Sequence, residues 1–488
     1  MAKENNTERP LMRLLSTGFI ERIVEEAKDV LEKVGVWVEN EEALELLGNG
    51  GARIDQGITR AFIPKRLVEE SLKSVPSSAK IYDRNGSLGM NLKGNDSYFI
   101  SMPAPTVWDS EMNQLRESLT EDAINNIKLV DALDNIDGQF PFWGSELPKE
   151  VWDCHKVFLS LRYSTKPIAA SLYLKESFEV FKDFLVTLRG NEQALREKPL
   201  FMLSVCPSPP LKWTDLVSYS AMRGAENGIP LILIPMPLSG AVAPATLGGC
   251  VVQHAAENLT GVVISQLINR GSSIIWGASP LIFDMRWGTS PLGALETAMM
   301  NVACSEVGGY LGMPTEVTVG CDAKRPDSQA GLEMGIGNIL AGLRGANLIA
   351  GQGMLDFENA QSLEKMVIDN EICGMARRLV QGISPRGECL AEDLFTEGLY
   401  EGKHFLLSPT TMKWCREEFF YPGPVISREN SQVWLEKGAT TAEQRAKKEV
   451  KRILATHKPD PLDKDIDREL TRIMTKVAAK YGMDKPLL

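Results

Sequence analysis

Eight short apolar runs punctuate the chain, at 97–100, 139–143, 167–173, 200–206, 230–236, 273–277, 315–320 and 347–351. Stretches of helical periodicity separate them, and an eighth follows the last run near 359–381. Short apolar runs alternating with amphipathic helices predict parallel strands joined by right-handed crossovers. Eight such units without a break predict an α/β fold, a closed (β/α)8 TIM barrel over residues 96–385 rather than an open sheet. Barrels of this kind carry their chemistry at the carboxyl ends of the strands, and that is where candidate residues are sought.

The flanks read differently. Residues 1–95 predict an α+β cap packed on one end of the barrel. Ile20, Ile23, Val24, Ala27, Val30, Leu31 and Val34 share one helix face, 41–47 repeats the pattern, 53–63 reads as one or two short strands, and Asn85-Gly86 centres a hairpin over 81–90. Residues 386–488 predict a helical extension, with helices over 442–454 and 465–481. Within the barrel, Thr120 and Thr214 are expected to cap helices. Ser290-Pro291 is expected to set Pro at the first position of a helix over 292–311, and Asp327 to open the helix that ends at Leu343.

Composition narrows the class. The 488 residues are 43% hydrophobic and 24% charged, with a net charge of -11, as in an ordinary globular protein. An acidic chain without a basic block is a poor partner for nucleic acid or an anionic membrane. No apolar run is long enough to span a bilayer, and 1–10 is too polar for a secretory signal. Eight cysteines occur singly, which predicts reduced thiols in a cytoplasm. The four histidines, His155, His254, His404 and His457, form no local metal pair, and no bound metal is expected.

The strand ends supply the candidate chemistry. Trp143, Tyr173, Trp276, Phe283 and Trp287 predict an aromatic rim, and basic residues there are sparse apart from Arg286, Lys324 and Arg325. No Ser-His-Asp or Cys-His set presents itself. Aromatic faces with few acid–base groups suit a quaternary ammonium ligand, a diffuse cation with no proton to donate. Glu146 or Asp322 would add charge attraction. Taken singly, each aromatic fits barrel packing or loop anchoring better than ligand contact. His254 lies inside the helix after the fifth run, away from the strand ends. Cys321 stands at a strand end with nothing nearby to lower its pKa.

Several stretches resemble the trimethylamine methyltransferase superfamily. They are Gly35-Val36, Glu39-Asn40-Glu41-Glu42-Ala43-Leu44, Tyr82-Asp83-Arg84, Pro237-Leu238-Ser239-Gly240-Ala241 with Ala243-Pro244, and Cys321-Asp322-Ala323-Lys324-Arg325-Pro326-Asp327-Ser328-Gln329-Ala330-Gly331. The similarity runs from about 19 to about 407, and the 320–331 stretch is its most specific part. The resemblance implies a barrel that passes a substrate methyl group to the Co(I) corrinoid (cobalamin) of a separate protein, with no cofactor held tightly by the chain itself, and a homo-oligomer. In the archaeal trimethylamine enzymes pyrrolysine precedes the Lys-x-Pro-Asp stretch; here that position is Gly320. Gly cannot supply an electrophilic ring. Members without pyrrolysine include demethylases of glycine betaine, proline betaine, carnitine and γ-butyrobetaine. A quaternary nitrogen leaves as a neutral amine without activation, so the enzyme's task is positioning and exclusion of water.

The sequence therefore predicts a cytoplasmic quaternary amine:corrinoid-protein methyltransferase, with glycine betaine the favoured donor, of the type used in methanogenesis or acetogenesis. Glu146, Gly320 and Asp322 are the catalytic candidates. Trp143, Tyr173 and Trp276 are the expected ammonium wall, and Lys324 or Gln352 the expected carboxylate contact. The rival readings are a tertiary methylamine donor and a non-catalytic barrel that binds a betaine or a corrinoid protein.

Overall fold

Eight parallel strands close on themselves. The computed structural model describes residues 9–386, 390–392, 395 and 405–483. The first barrel strand, Tyr98–Ser101, meets residues 138–139 through Ile100 and Gly138, and Gln139 pairs with Ile168. Next come Ile168–Ala170, Phe201–Val205, Leu231–Leu233 and Ile274–Trp276, each in parallel register with the one before. Trp276 pairs with Thr315, Glu316–Thr318 pairs with Leu348–Gln352, and Leu348 returns to Tyr98. The predicted barrel is therefore present and closed. The second strand is its slightest: Pro141 interrupts the run, and the chain past Phe140 leaves the sheet to carry Phe142 and Trp143 toward the carboxyl-end face.

A helix follows each strand. Leu247–Ile268, after the fifth, is the most deeply set, buried around its circumference by mostly apolar and small residues, with Gln253, His254, Glu257 and Asn258 among them. The reason lies in the N-terminal segment. Helices Thr17–Asp29, Glu41–Asn49 and Lys65–Leu72 all pack on it, burying Ile23, Val24, Ala27, Leu44, Leu47 and Val68. These helices thus clothe the barrel's flank, whereas the sequence suggested a cap on one end. Only the hairpin of Ala79–Tyr82 and Leu88–Leu92 covers an end, the amino-terminal one. There Tyr82 N donates to Pro199 O, Arg84 N donates to Thr165 O, and Met90 lies against Gly138.

Two helix starts differ from expectation. Thr120 is the first residue of Thr120–Ala132, and Asp122 reaches back to Leu119 N to close the cap. Residues 291–294 are not helical, because Asp322 takes the Leu292 and Gly293 amides (2.8 and 3.1 Å); the helix begins at Leu295. Thr214 and Asp327 cap as expected, on Val217 N and on the Gln329 and Ala330 amides. The C-terminal helices Ala442–Thr456 and Lys464–Lys480 lie outside the barrel. The first packs on Leu363–Val380 and Thr120–Ala132, the second on Lys149–Tyr163 and Ser177–Arg189. Cys389 and His404 lie outside the described residues, and the seven described cysteines are free thiols. Among the described residues no helix is long and apolar enough to cross a membrane.

Candidate functional site

The seventh strand puts a carboxyl group inside the cylinder. Side chains alternate along a strand, and here Val317 and Val319 face the helices, Val319 lying against Gly337. Glu316 and Thr318 therefore face inward. Glu316 has no exposed surface. Its carboxyl accepts from Thr318 Oγ1 (2.9 Å) and Ala278 N (3.1 Å), and no cation pairs with it among the described residues. Burial outweighs these two hydrogen bonds and pushes its pKa up to about 8.

A second carboxyl comes from the loop after the eighth strand. Asp356, Phe357 and Glu358 all have left-handed backbone, with φ of 51°, 55° and 71°. For residues with a Cβ this costs about 1 kcal/mol or more each, so the surroundings must impose it. The 320–331 stretch does so. Asp356 N donates to Ala323 O (2.8 Å) and Phe357 N to Cys321 O (3.1 Å). Lys324 Nζ pairs with Asp356 (3.1 Å) and sits 3.7 Å from the centre of the Phe357 ring. From the other side, Asn359 O accepts from Thr106 N and Oγ1. This bracing turns Glu358 over the mouth, within the electrostatic reach of Tyr173, Cys206 and Glu316. No hydrogen bond or ion pair to a described residue satisfies it, and burial pushes its pKa up to about 7. A cavity of about 310 Å³ opens beside it, walled by Met236, Leu281, Leu292 and Phe357 with Thr289, Ser290 and Asn359.

The predicted residues divide into groups. Trp143 and Tyr173 do meet, edge to face at 5.3 Å, and Trp152 stacks on Trp143 at 5.0 Å. A cation already serves this cluster. Lys156 Nζ lies 4.5 Å from the Tyr173 ring centre and 5.8 Å from that of Trp143, and is held by Asp153 (2.9 Å) and Ser171 O (3.1 Å). Tyr173 is 46% exposed, so its outer side remains open. Trp276 is elsewhere. It faces outward into the helical layer, against Gly308 and at 6.0 Å from the His254 ring, and it lines no mouth. His254 donates from Nε2 to Gly277 O (2.9 Å); burial holds its pKa down to about 3, so it is a neutral packing residue.

Glu146 is exposed and accepts from Thr120 N (2.7 Å), an anion at a helix start. Asp322 pins residues 292–293, as described above. Gln352 also faces outward, hydrogen-bonded through Nε2 to Asn338 (3.0 Å) in the helix Ser328–Arg344. Gly320 is where a side chain would not fit, because a Cβ there would overlap Leu292. Lys324 reaches the mouth only through the loop it braces. Phe283 is half-buried, whereas Met285 and Trp287 stand out on the rim, Trp287 at 79% exposure. Cys321 has its thiol pushed up to about 12 by burial, which removes it as a nucleophile.

The sequence reading missed Glu316, Glu358 and Cys206 as site residues. Glu316 did leave a signal, a charge inside the run Thr315-Glu316-Val317-Thr318-Val319. The arrangement that results, among the described residues, is one carboxyl inside the barrel and one at its mouth without a paired cation, an adjacent cavity with a partly apolar wall, and no activated nucleophile. Such a site can bind and orient a cation.

A barrel with one carboxyl inside it and another in the loop beyond a strand's carboxyl end has the layout of an enzyme, and comparison places it more narrowly. The sequence matches the profile of the family described as Trimethylamine methyltransferase (MTTB) over residues 1–482. It is 31% identical to a trimethylamine methyltransferase MttB of Desulfitobacterium hafniense, covering 94% of this chain and 93% of that one. It is 28% identical to a glycine betaine methyltransferase of the same species, over 97% and 98% of the two chains. Among solved structures, the Methanosarcina barkeri monomethylamine methyltransferase (MtmB) aligns over 92% of this chain and 96% of its own, with a TM-score of 0.48 and 13% identity. The chain belongs to the trimethylamine methyltransferase family and is a methyltransferase.

Proposed function

We propose that this methyltransferase takes a methyl group from a small quaternary amine, glycine betaine being the favoured donor, and passes it to the Co(I) corrinoid of a partner protein. The observation that carries the reading is the pair Glu316, fully buried, and Glu358, half-buried at the cavity, neither of which has a counter-cation among the described residues. A permanently charged nitrogen supplies what they lack, with the open side of Tyr173 and the apolar wall of Met236 and Phe357 beside its methyl groups. A neutral amine would gain no charge attraction from the carboxyls. The 31% and 28% identities to trimethylamine and glycine betaine enzymes do not choose between donors, and the charge pattern supports a cationic one.

The partner's reduced cobalt supplies the nucleophile. The methyl carbon–nitrogen bond breaks with its electron pair going to nitrogen, so a neutral tertiary amine departs and no proton has to move. The chain's own work is to hold one methyl group in line and keep water away. Lys324 serves as a positioning residue, through the loop that presents Glu358. The exposed Met285 and Trp287 suit contact with a protein partner at the same face. Free cysteines fit a reducing cytoplasm.

The test is a donor panel with product identification. Glycine betaine, proline betaine, carnitine, γ-butyrobetaine and trimethylamine, each bearing a deuterated methyl group, are incubated with enzyme and cob(I)alamin, and the residual amine is identified by mass spectrometry. Demethylation of a betaine supports the reading. Turnover of trimethylamine alone contradicts it, as does betaine binding without turnover.

A further inference from the structure

A cavity of about 620 Å³ opens at the other end of the barrel, among the segments that lead into the first, seventh and eighth strands. Three cations line it: Arg13, Lys93 and Arg344. In a chain of net charge -11 this gathering needs an explanation. One carboxylate, Glu306, also lines it, but both of its oxygens are engaged by the Leu14 and Leu15 amides (2.6 and 3.2 Å). The neighbouring acids are turned to other groups. Asp96 lies by Arg9, and Glu21 accepts from Tyr310 Oη (3.4 Å).

The cations are short of partners. Arg344 donates from Nη2 to Ser305 O (2.9 Å), while its Nε is buried with no partner. Burial and the charge of Arg13 press its pKa below the usual range, and Glu306 only partly offsets them. The side chains of Arg13 and Lys93 make no hydrogen bond or ion pair with any described residue. Like charges converging on a hollow are a feature of anion sites. The volume exceeds the needs of a simple inorganic ion and falls within the range of small-molecule pockets, roughly 300–1,000 Å³.

We propose that this cavity binds a small organic polyanion, with two or more carboxylate or phosphate groups, at a site separate from the barrel mouth. Arg13 and Lys93 contact the anionic groups from the rim, and Arg344 lends its charge from the wall. The site does not depend on the identity of the methyl donor.

Calorimetry on the full chain tests this with citrate as the carboxylate probe and pyrophosphate as the phosphate probe, against sodium sulfate at matched ionic strength. The comparison variant is Arg13→Ser with Lys93→Ser, both exposed positions whose loss leaves the fold intact by circular dichroism. One probe is expected to bind with one-to-one stoichiometry, weaken with added salt, and lose about tenfold or more in affinity in the double variant. Which probe binds identifies the anionic group. Binding by neither, equal heats from sulfate, or unchanged affinity in the double variant overturns the proposal.

Discussion

Seating a permanent cation in the mouth is expected to expel protons. Glu358 titrates near 7 and Glu316 near 8. At pH 7 the first is then about half protonated and the second about nine-tenths protonated. A ligand with no proton of its own favours both ionised forms. A fall of about two pKa units in Glu358 corresponds to roughly 3 kcal/mol of coupling, on the order of a hundredfold in affinity. Expected release at pH 7 is about half a proton from Glu358 alone, and about 1.4 if both groups ionise fully. Calorimetric titration of glycine betaine in two buffers of unlike ionisation enthalpy reads this number from the difference in heat. The affinity carries the same signature. The empty site is protonated below pH 7 and the occupied one is not, so Kd should weaken by nearly tenfold per unit as pH falls from 7 toward 5. It should level off above pH 8. Glu358→Gln should lose on the order of a hundredfold in affinity at pH 8 and flatten the profile. Zero proton release together with a Kd independent of pH between 6 and 8 would refute the argument.

Four further outcomes are expected. Glu316→Gln should stabilise the fold at high pH: the folded carboxyl has a pKa raised to about 8, so its ionisation opposes folding as pH climbs from the unfolded value toward 8, and the variant's gain in Tm should grow from pH 5 to pH 9. Lys324→Met releases the left-handed loop, and kcat/KM should fall about tenfold with Tm nearly unchanged, because the ion pair is largely exposed. Gly320→Ala drives a Cβ into Leu292 and should cost about 1–3 kcal/mol in a urea titration. Trp276→Ala should cost about 3–5 kcal/mol while the KM for the amine stays put, since the ring packs between sheet and helices.

The eight apolar runs made the barrel legible because each strand is buried on both faces and reads as a continuous apolar stretch. That same property hides which residues point inward. Trp276 and Gly277 are neighbours in one run, and only the closed register shows that Trp276 faces the helices. Tyr173 and Trp143 were found from strand-end position, yet their cation, Lys156, comes from a helix and gave no local sign. Glu316 was visible as a charge within a strand and was passed over. Glu358 was not visible. Its placement depends on three consecutive left-handed residues without a glycine, a conformation imposed by Lys324 and the 321–323 carbonyls from another part of the chain. The 320–331 stretch marked the family, but its side chains act here mainly as braces, Asp322 for residues 292–293 and Lys324 for 356–358.

The central claim, transfer of a betaine methyl group to reduced cobalt, is tested most directly by following the absorbance of cob(I)alamin under strict anaerobiosis after enzyme and glycine betaine are mixed. The account predicts enzyme-dependent conversion to methylcobalamin with one dimethylglycine formed per cobalt, and a slower conversion with Glu358→Gln. Unchanged cob(I)alamin with glycine betaine and with every other quaternary amine would contradict it.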